Sequence, residues 1–334
     1  MTAALVARDL RVRFHVHDAV VNAVTGVSFT LEHGSTLAIV GESGSGKSIT
    51  CLTLMSLLPH TAEVSGSVLL DDGRDVLAMS EAEVRHVRGK DIALIYQDPM
   101  AALNPVRTIG SQIREPLRIH MGMTRRAANT RAVELLAMVG IPSPERHLKS
   151  YPHEFSGGML QRTVIAMALA CNPKVLLADE PTTALDVSIQ AQILELLKRL
   201  SEDLSISLLL VSHNMSVVAG LADEIAVMYG GHIVEKGETL TLFEQPAHPY
   251  TLGLLSSIPD AAADPDAPLT GIPGQPPDPR RIDPGCVFRP RCPFAVDLCA
   301  EVAPPLELKH TGQHAACWVD IHTRTVQGAP HGKP

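Results

Sequence analysis

The segment Gly41-Glu42-Ser43-Gly44-Ser45-Gly46-Lys47-Ser48 carries the first recognisable chemistry of this chain. It fits the phosphate-binding pattern G-x-x-x-x-G-K-[ST] at every fixed position. Glycines let successive backbone N–H groups converge on phosphate oxygens, and the following helix N-terminus adds a favourable dipole. In such a P-loop Lys47 reaches the β- and γ-phosphates of a nucleotide, and the Ser48 hydroxyl ligates magnesium. A second group, Asp179-Glu180, closes an apolar run. A carboxylate there can hold magnesium opposite Ser48, and its neighbour can accept a proton from, or orient, an attacking water. A third group, Ser156-Gly157-Gly158, offers free N–H groups and a hydroxyl where a helix begins, which is a further anion site. Alone, an acidic pair after a strand is common and Ser-Gly-Gly is an ordinary helix cap.

The six cysteines divide into two kinds. Cys51 and Cys171 sit in apolar helical contexts and are expected to be buried packing residues. Cys286, Cys292, Cys299 and Cys317 cluster late in the chain, with 5, 6 and 17 residues between them. In a reducing compartment such a cluster points to metal rather than to disulfides. Four thiolates suit zinc or an iron–sulfur cluster. The spacing has neither the C-x2–4-C pairs of zinc ribbons nor a standard ferredoxin pattern, so the chemistry leaves both open.

These groups need elements to position them. Ser35 to Val40 reads as a buried strand ahead of the P-loop, and Ile49 to Met55 as a helix after it. From Leu5 to Leu31 the spacing of Val12, Phe14, Val16, Val21, Val24, Val27 and Phe29 predicts an antiparallel sheet, which Val68-Leu69-Leu70 extends. Asp91 to Tyr96 is a buried strand ending at Gln97. Between Asp98 and Phe155 the pattern turns helical. It is clearest from Arg126 to Val139, where Val133, Leu136 and Val139 share a face and Gly140 caps the end. Gly158 to Ala170 predicts a helix, Lys174 to Ala178 a core strand ending at Asp179-Glu180, and Ile189, Ile193, Leu196 and Leu200 mark a helix. Ile206 to Val211 is the next strand, ending at Ser212-His213. Strands alternating with helices, each strand ending in polar residues, describe an α/β fold with a parallel sheet and its active groups at the strand C-termini.

Composition narrows the field. The chain has 334 residues, 45% apolar but only 3% aromatic, and a net charge of −8. That is enough for a large domain plus an extension, and a net negative field argues against a nucleic-acid partner. No apolar run approaches a membrane span, and Met1 to Leu10 lacks a signal-peptide core. Membrane contact is therefore expected only through a partner. Pro259 to Pro284 contains eight prolines and reads as an extended connector. The tail from Thr323 is polar.

The order P-loop, Gln97, Ser156-Gly157-Gly158, Asp179-Glu180, Ala184-Leu185-Asp186, His213 resembles the ATP-binding-cassette ATPases over about residues 5–245. The resemblance implies a P-loop NTPase core over residues 1–255, with an antiparallel β subdomain and an α-helical insertion over about 98–157. A proline-rich connector (256–285) and a small cysteine-rich C-terminal extension (286–334) would follow. It further implies two cassettes facing head to tail, each ATP lying between one P-loop and the partner's signature. Gly41, Ser43, Gly44, Ser45, Gly46, Lys47, Ser48 and Ile49 would cradle the phosphates. Ser48, Gln97 and Asp179 would serve magnesium, and Gln97 would also report to the transmembrane partner. Ser156, Gly157 and Gly158 would touch the partner's γ-phosphate, and Ala184-Leu185-Asp186 would bridge the two sites. Glu180 would be the catalytic carboxylate, and His213 would contact the γ-phosphate and water. Phe14 is the candidate for stacking on adenine, with a place in the core as the alternative. Met159 stands where the family's signature usually has glutamine and cannot supply amide hydrogen bonds. Gln161 follows two positions later.

Pro246-Ala247-His248-Pro249-Tyr250-Thr251, Ile272-Pro273-Gly274-Gln275-Pro276-Pro277 and Gln97-Asp98-Pro99-Met100 resemble the oligopeptide and dipeptide importer branch, which nickel, glutathione and other small-peptide importers share. The resemblance implies an ATPase at the cytoplasmic face of the inner membrane. Its partners would be a second cassette ATPase (a paralogue or itself), two permeases and, indirectly, a substrate-binding protein. It also favours a four-iron four-sulfur cluster on the four cysteines, with zinc as the alternative. Arg289 and Arg291 are expected beside the sulfurs, offsetting a cluster's negative charge. A soluble cassette ATPase of translation or DNA repair would carry two cassettes or a coiled-coil insertion. This chain has one P-loop and no heptad run.

Overall fold

A computed structural model describes residues 3–16, 19–183, 185–258, 271–281, 284–310 and 312–326. Ala184, part of the proline-rich connector and the end of the tail lie outside the described residues. Two long strands, β1 (Ala3–Val16) and β2 (Ala19–Glu32), pair antiparallel, with Phe14 opposite Val21. The next strand, β3 (Thr36–Val40), is buried along its whole length and runs through the P-loop into α1 (Lys47–Leu54). Strand β4 (Ala62–Leu70) joins β1 to complete a three-stranded sheet in the order β2-β1-β4. The predicted antiparallel subdomain is therefore present, and its third strand starts six residues before Val68.

Helix α2 (Glu81–Val87) starts with a Ser80–Glu83 capping box and leads to β5 (Ile92–Ile95). The helical insertion follows as α3 (Pro99–Ala102), α4 (Ile109–His120), α5 (Arg125–Met138) and α6 (Pro144–His147). Helix α5 begins at the Thr124 cap and stops at Gly140, whose φ of 77° only glycine adopts cheaply. Its buried face is Ala128, Ala132, Leu135 and Leu136, with Val133 at the edge.

The core alternation then runs through α7 (Gly157–Ala168), β6 (Val175–Asp179), α8 (Val187–Leu204), β7 (Ser207–Ser212) and α9 (Met215–Ala219). Strands β8 (Glu224–Tyr229) and β9 (His232–Glu238) form a hairpin on Gly230-Gly231. The periodicity argument passes over it, although the apolar run Ile225 to Tyr229 followed by two glycines is a legible signal. Helices α10 (Thr239–Glu244) and α11 (Pro249–Ser256) close this part. The cysteine-rich segment holds α12 (Leu298–Glu301), β10 (Glu307–His310) and β11 (Gln313–Ala315).

The large sheet has the order β10-β11-β9-β8-β3-β7-β6-β5. Strands β8, β3, β7, β6 and β5 are parallel, and β9 and β11 add antiparallel at one edge. The C-terminal extension thus continues the main sheet. Parallel strands buried on both faces explain the unbroken apolar runs of β3, β6 and β7. Because these strands share a direction, the P-loop, Asp179-Glu180 and Ser212-His213 leave the sheet at the same end.

Candidate functional site: a phosphate cradle and its carboxylates

The P-loop is pressed against the end of β8. A Cβ on Gly41 would overlap the Met228 carbonyl oxygen, and one on Gly46 would overlap that of Ala23. Gly46 also has φ 105° as the N-cap of α1, so this position accepts only glycine on both steric and conformational grounds. Lys47 is 4% exposed. Its Nζ donates to the Gly41 and Glu42 carbonyl oxygens at 2.8 and 2.9 Å and approaches Ser45 Oγ at 3.4 Å. Burial lowers the Lys47 pKa, while Glu180, Asp179 and Glu42 oppose that shift. Ser43 and Gly44 are exposed at the loop tip, and Ile49 lies half-buried in the first turn of α1.

Ser48 Oγ donates to Asp179 Oδ1 at 3.0 Å, across the strand pair β3 and β6 that β7 separates. Burial raises the Asp179 pKa, and the Ser48 hydrogen bond opposes it. A hydroxyl and a carboxylate oxygen side by side suit a hard cation such as magnesium. The next residue, Glu180, has φ 46°, an uncommon conformation for a non-glycine residue. Its N–H donates to the Val211 carbonyl, which holds the turn. The Glu180 Oε2 atom is a meeting point. It accepts from Thr183 Oγ1 at 2.9 Å and Gln97 Nε2 at 3.3 Å, and lies 3.2 Å from His213 Nδ1. Three residues far apart in sequence, Gln97, Glu180 and His213, are thereby brought together. Thr183 is a site neighbour that the motif order does not announce.

Ser156 and Gly157 are exposed, and Ser156 Oγ accepts from Met159 N–H as the N-cap of α7. Behind them Gly157 faces Leu185 and Gly158 faces Ile189, where a Cβ would come within 3.0 Å. Asp186 caps α8 by accepting from Ile189 N–H. Gln161 cannot replace the amide missing at Met159, because its side chain is buried at 1% exposure. Phe14 is half-buried on β1, opposite Val21 and Ala62, and packs on the core of the antiparallel sheet.

The four late cysteines share one neighbourhood. Cys286 N–H donates to the Cys299 carbonyl at 2.8 Å, and Cys286, Cys299 and Cys317 all lie within electrostatic reach of Cys292. Burial pushes Cys292 up to about 12 and Cys317 up to about 11, so without a cation these groups are neutral thiols. Among the described residues no three His, Cys, Asp or Glu side chains converge to hold a metal ion. Neither zinc nor a cluster is therefore supported by the side-chain arrangement. The expectation for the two arginines is half corrected. Arg289 lies near Cys286, but the Arg291 guanidinium turns away from the sulfurs to the Glu42 carboxylate, at 2.8 and 3.1 Å. A negative partner on the P-loop outcompetes neutral thiols for it.

This sheet order and phosphate cradle define a P-loop ATPase of the cassette type. Residues 24–183 match the ABC transporter family, and residues 234–299 match the C-terminal region of oligopeptide/dipeptide transporters. The chain is 48% identical to the dipeptide transport ATP-binding protein DppD of Bacillus subtilis (strain 168), over 96% of this chain and 95% of the relative. It is 46% identical to the oligopeptide transport ATP-binding protein OppD of Escherichia coli (strain K12), over 96% of this chain and 94% of the relative. A solved dimeric ATP-binding cassette in a post-hydrolysis state, bound to ADP and phosphate, superposes with a TM-score of 0.63 at 27% identity, over 70% of this chain and 98% of that one. The chain belongs to the ATP-binding-cassette ATPases, in the family of oligopeptide and dipeptide transport ATP-binding proteins. Among the described residues no helix is long and apolar enough to cross a membrane.

Proposed function

We propose that this chain is the ATP-hydrolysing subunit of an importer for short peptides, working with separate membrane permeases at the cytoplasmic face of the inner membrane. The observation that carries the ATPase chemistry is the convergence of Gln97, Thr183 and His213 on Glu180, one residue beyond the Ser48–Asp179 pair. On binding, phosphate oxygens replace the loop carbonyls as acceptors for Lys47. Magnesium, held by Ser48, Gln97 and Asp179, would neutralise charge on the β- and γ-phosphates. Glu180 orients the attacking water and takes its proton, and His213 contacts the γ-phosphate. Phe14, which packs on the sheet core but is only half-buried, is the residue we assign to adenine stacking. The exposed Ser156-Gly157-Gly158 turn reaches the γ-phosphate of a second cassette, and Ala184-Leu185-Asp186 bridges the two sites. ATP then closes the dimer and hydrolysis reopens it, because γ-phosphate contacts exist only in the closed form. The peptide cargo is supported by the dipeptide and oligopeptide transport roles of the relatives and by the C-terminal match at 234–299.

Glu180→Gln tests this mechanism. The variant should bind ATP, lose about a hundredfold in turnover, and trap a closed dimer on gel filtration. Unaltered turnover in the assembled transporter would remove Glu180 from the mechanism.

For the cysteines we propose a structural four-iron four-sulfur cluster on Cys286, Cys292, Cys299 and Cys317. The reading rests on the resemblance to the importer branch and not on a convergence of side chains; two N–H donors already reach the sulfurs, Phe294 N–H to Cys292 Sγ and Val319 N–H to Cys317 Sγ. Iron, sulfide and zinc analysis after anaerobic purification decides it. About four irons and four sulfides per chain, lost together in Cys292→Ser, is the expected result. One zinc without sulfide would replace the cluster with a zinc fold.

A further inference from the structure

The C-terminal extension grips the P-loop at its second residue. Glu42 is held from four sides. Its N–H donates to Tyr250 Oη at 2.8 Å, and its carbonyl accepts from Lys47 Nζ at 2.9 Å and from Ser45 N–H at 3.2 Å. Its carboxylate takes both terminal nitrogens of Arg291. The Arg291 side chain is 5% exposed, and its remaining N–H groups are also used. Nε donates to the Pro273 carbonyl at 2.8 Å, Nη2 to the Ile272 carbonyl at 3.0 Å, and Nη1 approaches Tyr229 Oη at 3.3 Å. The guanidinium also lies over the Tyr229 ring, 5.8 Å from its centroid. A planar fork with five donors, all directed, is a fixed strut, which a lysine in its place would not be. The strut rises from a one-turn 3-10 helix, Arg289–Arg291, that runs directly into Cys292. Tyr229, Tyr250 and Phe288 pack as an aromatic floor beneath it, with ring centroids 4.5 to 5.4 Å apart.

We propose that Arg291 is a positioning residue of the ATP site, which holds the P-loop through Glu42 and so makes nucleotide affinity depend on the C-terminal extension. The physical argument is that Lys47 and Arg291 bind the same residue at different atoms, Lys47 at the Glu42 carbonyl and Arg291 at its carboxylate. Phosphate must draw Lys47 away from the Glu42 carbonyl. A Glu42 fixed by Arg291 stays in place when that happens, so the loop's N–H groups remain aimed at the phosphate. With the strut removed, the loop must be ordered anew on each binding event, which weakens affinity. The proposal rests on the nucleotide-site reading above and is independent of which metal the cysteines hold.

The test uses the full chain and measures ADP affinity by calorimetry, with iron and sulfide determined on each sample. Arg291→Gln and Glu42→Gln should each weaken ADP binding about tenfold, and the double variant should be no weaker than either single one within about twofold. Glu42→Asp keeps the charge while withdrawing it by one methylene. It should weaken ADP binding in the same direction, and it decides the matter if Arg291→Gln does not fold. In steady state the KM for ATP should rise by more than kcat falls. A merely structural arginine would lower the melting temperature and leave the ADP affinity of the folded protein unchanged. That result, or losses that multiply in the double variant, overturns the proposal. Lys47→Ala is measured alongside. If it too retains ADP affinity, the nucleotide-site reading has failed, whereas loss in Lys47→Ala alone rejects only the role of Arg291.

Discussion

The P-loop is walled in along its base and open only at its tip, Ser43 and Gly44, whereas Ser156 and Gly157 of the second glycine turn face solvent. Lys47 is buried, its ammonium bonded to the loop's own carbonyls, and Glu42 is tied to α11 and to the C-terminal extension. Ser156 does no more than cap its own helix, and Gly157 is exposed. Both segments are glycine-rich turns at helix N-termini, so their backbone chemistry is alike. The difference lies in what surrounds them. One is preorganised by its own chain, and the other presents donors that its own chain does not use. That asymmetry is what a composite site between two copies or paralogues requires.

Lys47→Ala is the strongest way to break the comparison. Nucleotide affinity of the isolated chain should fall about a hundredfold, because a charge-assisted phosphate contact is lost from a dehydrated cradle. Normal affinity by calorimetry would mean that the enclosed loop is not the phosphate site. Gly157→Asp probes the open half. A carboxylate there would face the partner's γ-phosphate, so ATP turnover should fall about tenfold or more while ADP affinity of the single chain stays within about twofold. Loss of ADP affinity in that variant would show that both turns serve one chain's nucleotide.

Acidification should loosen the enclosed half. His248 caps α11 by accepting from Tyr250 N–H, and burial depresses its pKa from 6.5 to about 3. A depressed histidine contributes stability that is complete above the unfolded pKa and is lost as the pH falls toward the folded one. The window is therefore between 6.5 and about 3. The melting temperature should fall as the pH is lowered through that window, and less so in His248→Asn, which keeps a capping acceptor. An equal fall in both proteins would clear His248 of the effect. The smallest change is expected for Met159→Gln, within about twofold in turnover. Ser156 and the glycines already supply the phosphate-facing groups, and a large gain would show that the missing amide limits the enzyme.

Much of the site was legible from residue order. The P-loop and the strand alternation, at whose end the carboxylate pair stands, announce themselves because each depends on local constraints. These are glycines where a Cβ has no room, apolar runs where a strand is buried on both faces, and polar residues where a strand ends. The distance between Ser48 and Asp179 could be anticipated for the same reason, since parallel strands deliver their C-termini to one edge. The hairpin β8–β9 carried a readable signal as well, an apolar run ending in two glycines. Gln161 was not readable in the same way. Its burial depends on how α7 packs against its neighbours rather than on its distance from Ser156. Thr183 was likewise invisible, because its bond to Glu180 depends on the positive φ of that residue.

By itself, then, the sequence determined the cassette and its phosphate loop, which rest on short-range spacing and on the order of the motifs, and the roles proposed for Glu180 and His213 follow from the resemblance that order carries. Only the tertiary structure decided how the C-terminal extension relates to them. The resemblance implied an appended cysteine-rich unit, in which both arginines were expected beside sulfur. In the folded chain β11 pairs with β9, and Arg291 crosses to Glu42, 249 positions away. A buried guanidinium takes whichever acceptors folding brings within reach. A carboxylate on the P-loop offers it more than neutral thiols do, and no local pattern records that choice.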